Sequence, residues 1–257
     1  MTTDIPFNST GDLCFDLYGY NNSTPDSPLI VFVHGGAWRG EDKSDHKTLA
    51  ELLVAASGCP VLVPNYRLTN NTNGLRHPSH AEDILEFLTF LPNCDAVSTS
   101  GRPIYLIGHS AGAHILASIF LDSSPATPSL TPPAAVLQAV GGVILSEGIH
   151  DIDLLLTRFP EYRAWFIASA FGDLPSYAHF SPTTYARRDG AGHLRWLVIH
   201  STGDTLVDEP QSATMYAHLR ALYGDESVER SFDKLDKEHS DILTTPVFVE
   251  LVRAFCT

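Results

Sequence analysis

The sequence predicts an α/β protein in one domain over residues 1–257, with a mostly parallel central sheet and helices on both faces. Three observations predict it. The 257 residues suit a single large α/β domain, a class that routinely runs to about 250 residues. Hydrophobic residues make up 44% of the chain, enough to fill a sizeable core. Short continuous apolar runs alternate with longer amphipathic ones, and strands alternating with helices pair in parallel with the helices packed on either side.

The elements follow in order. Leu29-Ile30-Val31-Phe32-Val33 is continuous, largely β-branched and closed by glycines, the signature of a buried strand. Thr48–Ala56 reads as a helix, with Leu49, Leu52 and Leu53 on one face, and Pro60–Val63 as the next short strand. Ser79-His80-Ala81-Glu82 has the form of a capping box and opens a helix whose apolar positions include Ile84, Leu85 and Leu88. Ile104–Ile107 is a third buried strand and Ala111–Leu121 a helix. Gly142–Leu145 and Trp196–Ile199 are further strands, followed by a helix over Pro210–Leu222, a weaker strand over Val228–Leu235 and a last helix over Thr245–Phe255. Two stretches break the rhythm. Ser123–Pro133, rich in Ser, Pro and Thr, reads as a surface loop. Gly148–Gly192 is long, rich in aromatics and free of any convincing buried strand; it is either a lid over a site on the sheet's edge or a helical excursion that thickens the core.

Thirty acidic against 16 basic residues give a net charge of −14. Such a field repels phosphates, which argues against nucleic acid or anionic membrane as a partner. Cys14, Cys59, Cys94 and Cys256 are scattered, with no C-x-x-C pair, and read as buried free thiols in a reducing compartment. Met1-Thr2-Thr3-Asp4 lacks the basic start and apolar stretch of a secretory signal, and no apolar run approaches the ~18 residues that span a bilayer. The expectation is a cytoplasmic protein acting on a small molecule.

Gly108-His109-Ser110-Ala111-Gly112 lies between the Ile104–Ile107 strand and the helix that follows. A G-x-S-x-G turn in that setting is a nucleophile elbow: the turn is too tight for side chains at the glycines, and the serine stands exposed at a helix N-terminus. There, free N–H groups and the helix dipole favour developing negative charge. A serine hydroxyl needs a base to become a nucleophile, and in this architecture the order is Ser, acid, His. Asp204 and Asp208 both follow the Trp196–Ile199 strand; Asp204 is preferred as the acid, since Asp208 suits a cap before Pro210. His239 is the one histidine in the loop after the last strand, whereas His218 falls within a helix and His200 beside a strand. In these roles His239 takes the Ser110 proton and Asp204 fixes the imidazole tautomer. Oxyanion donors are expected from the N–H of Ala111 and from His34-Gly35-Gly36-Ala37-Trp38, which directly follows the first buried strand; Gly36 and Ala37 are the choice within it. His77-Pro78-Ser79-His80 has a metal-like look but no third ligand, Gly141-Gly142 lacks dinucleotide-fingerprint spacing, and Asn65-Tyr66-Arg67-Leu68 either lines the site or forms a structural turn.

Over nearly its full length the chain resembles α/β-hydrolases, and more narrowly the fungal kynurenine formamidases (arylformamidases). His34-Gly35-Gly36-Ala37-Trp38 matches the family's H-G-G-x-W motif. Gly108-His109-Ser110, Asp204 and His239 fall at matching distances, and Gly148-Ile149-His150-Asp151 through Phe159-Pro160-Glu161-Tyr162 is similar to the segment after its sixth core strand. The resemblance implies the α/β-hydrolase fold with a helical insertion after that strand. It also implies hydrolysis of N-formyl-L-kynurenine to L-kynurenine and formate in tryptophan degradation, through a formyl-enzyme intermediate. No metal or organic cofactor is implied, and the chain is expected to be a monomer or homodimer. A broader carboxylesterase shares every catalytic residue and stands as the alternative. A catalytically silent binding protein would carry a broken triad, and here the triad is complete.

Overall fold

The structure, a computed structural model, describes residues 1–70 and 72–256, so that Asn71 and Thr257 of the expected domain lie outside it. Eight strands form the central sheet: β1 (Thr2–Pro6), β2 (Cys14–Tyr18), β3 (Leu29–Val33), β4 (Val61–Pro64), β5 (Ile104–His109), β6 (Val140–Ser146), β7 (Arg195–Ile199) and β8 (Val228–Ser231). Their spatial order is β1-β2-β4-β3-β5-β6-β7-β8. β2 pairs antiparallel with both β1 and β4, and every other pairing is parallel.

The helices are α1 (Lys47–Ser57), α2 (Ser79–Phe90), α3 (Ala111–Phe120), α4 (Ala134–Ala139), α5 (Ile152–Arg158), α6 (Ala168–Phe171), α7 (Glu209–Tyr223) and α8 (Pro246–Cys256). Side chains alternate across a strand, so each buried strand feeds two cores. Leu29, Val31 and Val33 of β3 join one cluster with residues of α2, α3 and α7. Ile30 and Phe32 join the other, with Leu49 and Leu53 of α1 and Phe248 and Val252 of α8. Burial on both faces is why these strands read as continuous apolar runs.

Several expectations are corrected. β1 and β2 were not anticipated, because β1 is almost entirely exposed and neither strand is a continuous apolar run. The last strand ends at Ser231, four residues short of Leu235. Ser79 is not a capping residue: the helix cap is Pro78, whose carbonyl accepts from Ala81 and Glu82 N–H at 2.8 and 2.9 Å, while Ser79 already lies in the first turn. The segment 148–192 contributes both to the core and to the wall of a cavity. Ile167, Phe171 and Tyr177 join the core, while Tyr162, Trp165 and Phe166 line a surface cavity. Among the described residues, no helix is long and apolar enough to cross a membrane.

Candidate active site

β5 ends in the elbow. Ser110 has φ 54° and ψ −118°, a conformation that non-glycine residues rarely adopt and that tight catalytic turns retain. The turn is held by Ser110 N–H donating to Ser146 O at the end of β6, 2.9 Å away. The flanking glycines are required by close approach. A Cβ on Gly112 would lie 2.1 Å from Val33 O, and one on Gly108 2.5 Å from Gly112 O. Ser110 is thereby fixed at the N-terminus of α3, whose first amide, that of Ala111, lies outside the intrahelical ladder.

β3 ends in the second loop. Gly36, Ala37 and Trp38 have successive positive φ values of 79°, 52° and 59°, and Glu41 a further 67°. Gly36 is essential here, since a Cβ would stand 2.2 Å from Gly40 O. Three anchors hold this unusual path. The Trp38 indole is fully buried and meets His114 and Phe171 edge-on, with ring centroids 5.1 and 4.9 Å apart. Tyr66 donates its hydroxyl to Gly35 O at 2.6 Å, with His34 O at 3.1 Å, and stacks on the His34 ring. Glu41 Oε2 accepts from Gly35 N–H at 3.1 Å and bonds His46 Nε2 at 3.0 Å. Burial raises the Glu41 carboxyl, but the His46 contacts outweigh it and leave Glu41 below its usual range, as a carboxylate. The amides of Gly36 and Ala37 donate to no described protein group.

The acid and the ring arrive on β7 and β8. Ser201 Oγ donates to Lys237 O at 2.6 Å and Thr202 N–H to Leu235 O at 3.0 Å, which lashes the two loops together. Gly203 lies in the turn closed by Asp204 N–H donating to Ser201 O at 3.2 Å, and it also serves close approach, because a Cβ there would lie 2.3 Å from Asp236 O. Asp204 Oδ2 then bonds His239 Nδ1 at 2.7 Å, and Oδ1 accepts from Leu206 and Val207 N–H at 2.8 and 3.0 Å. Burial works against the Asp204 charge, but His239 and the neighbouring Glu147 carboxyl overcome it and hold the group below the carboxylate range. Asp208 occupies the N-cap position of α7, though its side chain makes no capping bond. The other two histidines weighed as the base are engaged elsewhere: His218 with Tyr185 O at 2.7 Å, His200 with Ser212 Oγ at 3.1 Å.

Ser110 and His239 face one cavity of about 440 Å³, a size that suits a small organic ligand. Among the described residues, the Ser110 hydroxyl has no hydrogen-bond partner, a looseness common before substrate binds. Gly36 and Ala37 form one wall, Tyr162, Trp165 and Phe166 an aromatic wall, and Ile149, Leu206 and Val207 an aliphatic edge. Arg39 and Glu41 add a cation and an anion. Arg39 donates to Trp165 O and has no acidic partner among the described residues. Two groups gather ligand-type atoms within 4.8 Å, His34/Glu41/His46 and Glu147/Asp204/His239, and in both the ionised carboxylate already accepts several hydrogen bonds. Sequence reasoning missed Arg39, Glu41 and Glu147. The first two stand just beyond the H-G-G-A-W loop, and their charge so near a glycine-built site was the available signal. Asn65-Tyr66-Arg67-Leu68 is structural: Tyr66 braces the loop and Arg67 forks onto Asp83.

Elbow, glycine loop and Asp–His pair at the ends of β5, β3 and β7–β8 are hydrolase features, and comparison with known proteins agrees. A family model described as BD-FAE matches residues 15–219. The chain belongs to this family of α/β-hydrolases. Within it, the protein is 30% identical over 209 residues to a kynurenine formamidase of Eremothecium gossypii, covering 79% of this chain and 82% of that one. It is also 30% identical over 215 residues to a probable isoprenylcysteine alpha-carbonyl methylesterase of Oryza sativa subsp. japonica, covering 80% of this chain and 50% of the relative. Esterase 2 of Thermogutta terrifontis, solved phosphonylated by sarin, superposes with TM-score 0.73 at 17% identity, covering 99% and 93% of the two chains. That likeness concerns the fold. This BD-FAE member is a hydrolase.

Proposed function

We propose that this hydrolase is a kynurenine formamidase, cleaving N-formyl-L-kynurenine to L-kynurenine and formate through Ser110, His239 and Asp204. The observation that carries the reading is the 2.7 Å bond from His239 Nδ1 to Asp204 Oδ2, made by a ring that shares its cavity with the strained Ser110. With Nδ1–H directed at the carboxylate, the Nε2 lone pair is free to take a proton. Ser110 Oγ attacks the formyl carbon as its proton passes to Nε2. The carbonyl oxygen becomes an oxyanion, held by the amides of Gly36, Ala37 and Ala111. His239 then gives the proton to the departing aniline nitrogen. Water, deprotonated by the same ring, releases formate from Ser110.

The formamide is favoured over a generic ester by the walls of the cavity and by the formamidase relative. Tyr162, Trp165 and Phe166 suit an aryl ring. Arg39, with no acidic partner among the described residues, suits the carboxylate of an amino acid, and the second Glu41 oxygen suits its ammonium. The residues 148–192 act, in this reading, as a cap over the site. The alternative, an esterase for small acyl groups, is favoured by the methylesterase relative and predicts indifference to Arg39. The deciding experiment compares kcat/KM for N-formyl-L-kynurenine and p-nitrophenyl acetate. A preference for the formamide of at least ~100-fold is expected, about what one to two hydrogen bonds to charged groups supply. A preference for the ester would overturn the reading in favour of the alternative.

A further inference from the structure

Glu147 follows the last residue of β6 and has no part in the scheme above. It is fully buried and has φ 51°, a strained setting for a glutamate. Its N–H donates to Ile199 O at the end of β7 at 3.1 Å, and its Oε1 accepts from Ser201 N–H at 2.8 Å. These bonds aim the side chain at the triad. Ligand atoms of Glu147, Asp204 and His239 all lie within 4.8 Å of one another.

Two buried carboxyl groups this close do not readily both ionise. The donors around them decide which one does. Asp204 accepts from Leu206 N–H, Val207 N–H and His239. Glu147 accepts one bond at Oε1, and its Oε2 accepts none. The other titratable group facing Glu147 is His200, with Nδ1 3.4 Å from Oε2, and burial lowers that ring towards its neutral form. His109, against His239 with ring centroids 4.6 Å apart, is likewise held neutral by burial. Among the described residues, no cation therefore offsets a second negative charge. Burial first, then the bond to Asp204 and its charge, pushes the Glu147 carboxyl up to about 11.

We propose that Glu147 is a positioning residue: a neutral carboxylic acid that donates a hydrogen bond to the Asp204 carboxylate and fixes it against His239. The assignment rests on the Ser110–His239–Asp204 reading. It gives Asp204 a further donor besides the three already described, and it makes an otherwise unpartnered Oε2 useful. A charge-assisted bond of this kind steadies the acid's orientation and spreads its charge.

The test compares Glu147→Gln, which keeps a neutral donor and the acceptor for Ser201, with Glu147→Leu, which keeps neither. Turnover is measured on both N-formyl-L-kynurenine and p-nitrophenyl acetate, so the outcome does not hang on acyl preference. The expected result is that Gln stays within about threefold of wild type with an unmoved acidic limb in kcat/KM. Leu should lose about 10- to 100-fold in kcat at little-changed KM, the scale of one hydrogen bond to a charged group, with the acidic limb displaced to higher pH. The wild-type minus Gln infrared difference spectrum at neutral pH should show a protonated-carboxyl band. Gln as impaired as Leu, a folded Leu variant with near-normal kcat, or an ionised-carboxylate band in the difference spectrum would each overturn the assignment. If Leu fails to fold, the Gln kinetics and the infrared spectrum decide. Ser110→Ala runs alongside: turnover surviving there sinks the triad itself, whereas loss there with an impaired Gln variant sinks the Glu147 assignment alone.

Discussion

Asp204, Asp208 and Arg39 carry the predictions that belong to single residues. Asp204→Asn leaves a neutral amide beside His239 and favours the wrong imidazole tautomer, so kcat should fall by about 10⁴ with KM little changed. Asp208, at the start of α7 and bonded to neither ring nor serine, should tolerate the same change within a few-fold. Steady-state kinetics on the pair test the choice of acid; the reverse pattern would move the role to Asp208. Arg39→Ala removes the cation of the cavity wall. The kcat/KM for N-formyl-L-kynurenine should drop about 10- to 100-fold, as for one charge-assisted hydrogen bond, while p-nitrophenyl acetate is hardly affected. Equal losses on both substrates would mean that Arg39 acts through the loop, by way of Trp165 O, rather than on a carboxylate.

At the scale of elements, the site is a set of strand ends held in register by backbone contacts. Gly112 marks where α3 touches β3, with Val33 O where a Cβ would need to be. Gly112→Ala should therefore cost about 1–3 kcal/mol in urea unfolding, as overpacking does, and misplace Ser110 at the same time. A Gly112→Ala protein of wild-type stability would show that the elbow can relax. The sequence revealed elements unevenly, for physical reasons. β3, β5 and β7 are buried on both faces, so their apolar runs were plain. β1 is almost entirely exposed, and β2, although buried, is interrupted by Asp16, so neither presents an apolar run. Ser110, Asp204 and His239 were legible because chain order and strand ends constrain them. Glu147 was not, because one acidic residue after a strand has no spacing to betray it and becomes meaningful only when β6 and β7 are side by side.

At the scale of the whole molecule, the notable property is how many histidines are buried without charge. Burial holds His34 at about 4, His80 at about 3, His114 at about 4 and His150 at about 3. Burial also holds His77 and His109 well below 6.5 and lowers His200. In the unfolded chain these rings titrate near 6.5, so below that pH the unfolded state binds more protons and stability falls with acidification. The loss runs from about pH 6.5 down towards about 3–4, and each ring contributes up to about 1.4 kcal/mol per pH unit. Glu147, raised when folded, works in the opposite sense above about pH 4.5, but it is one group against seven. Urea midpoints should therefore begin to fall near pH 6.5, ahead of the carboxylate range. A midpoint flat down to pH 5 would mean that the rings titrate in the folded state.

The three tryptophans divide in a way that gives the protein a built-in optical reporter. Trp38 and Trp196 are fully enclosed, whereas Trp165 is 53% exposed on the cavity wall. Acrylamide should quench one emitting indole and leave two dark to it. That red-shifted emission should be shielded when an aryl ligand occupies the site of a Ser110→Ala protein. Occupancy then becomes measurable without turnover, and the Trp165→Phe protein is the blank.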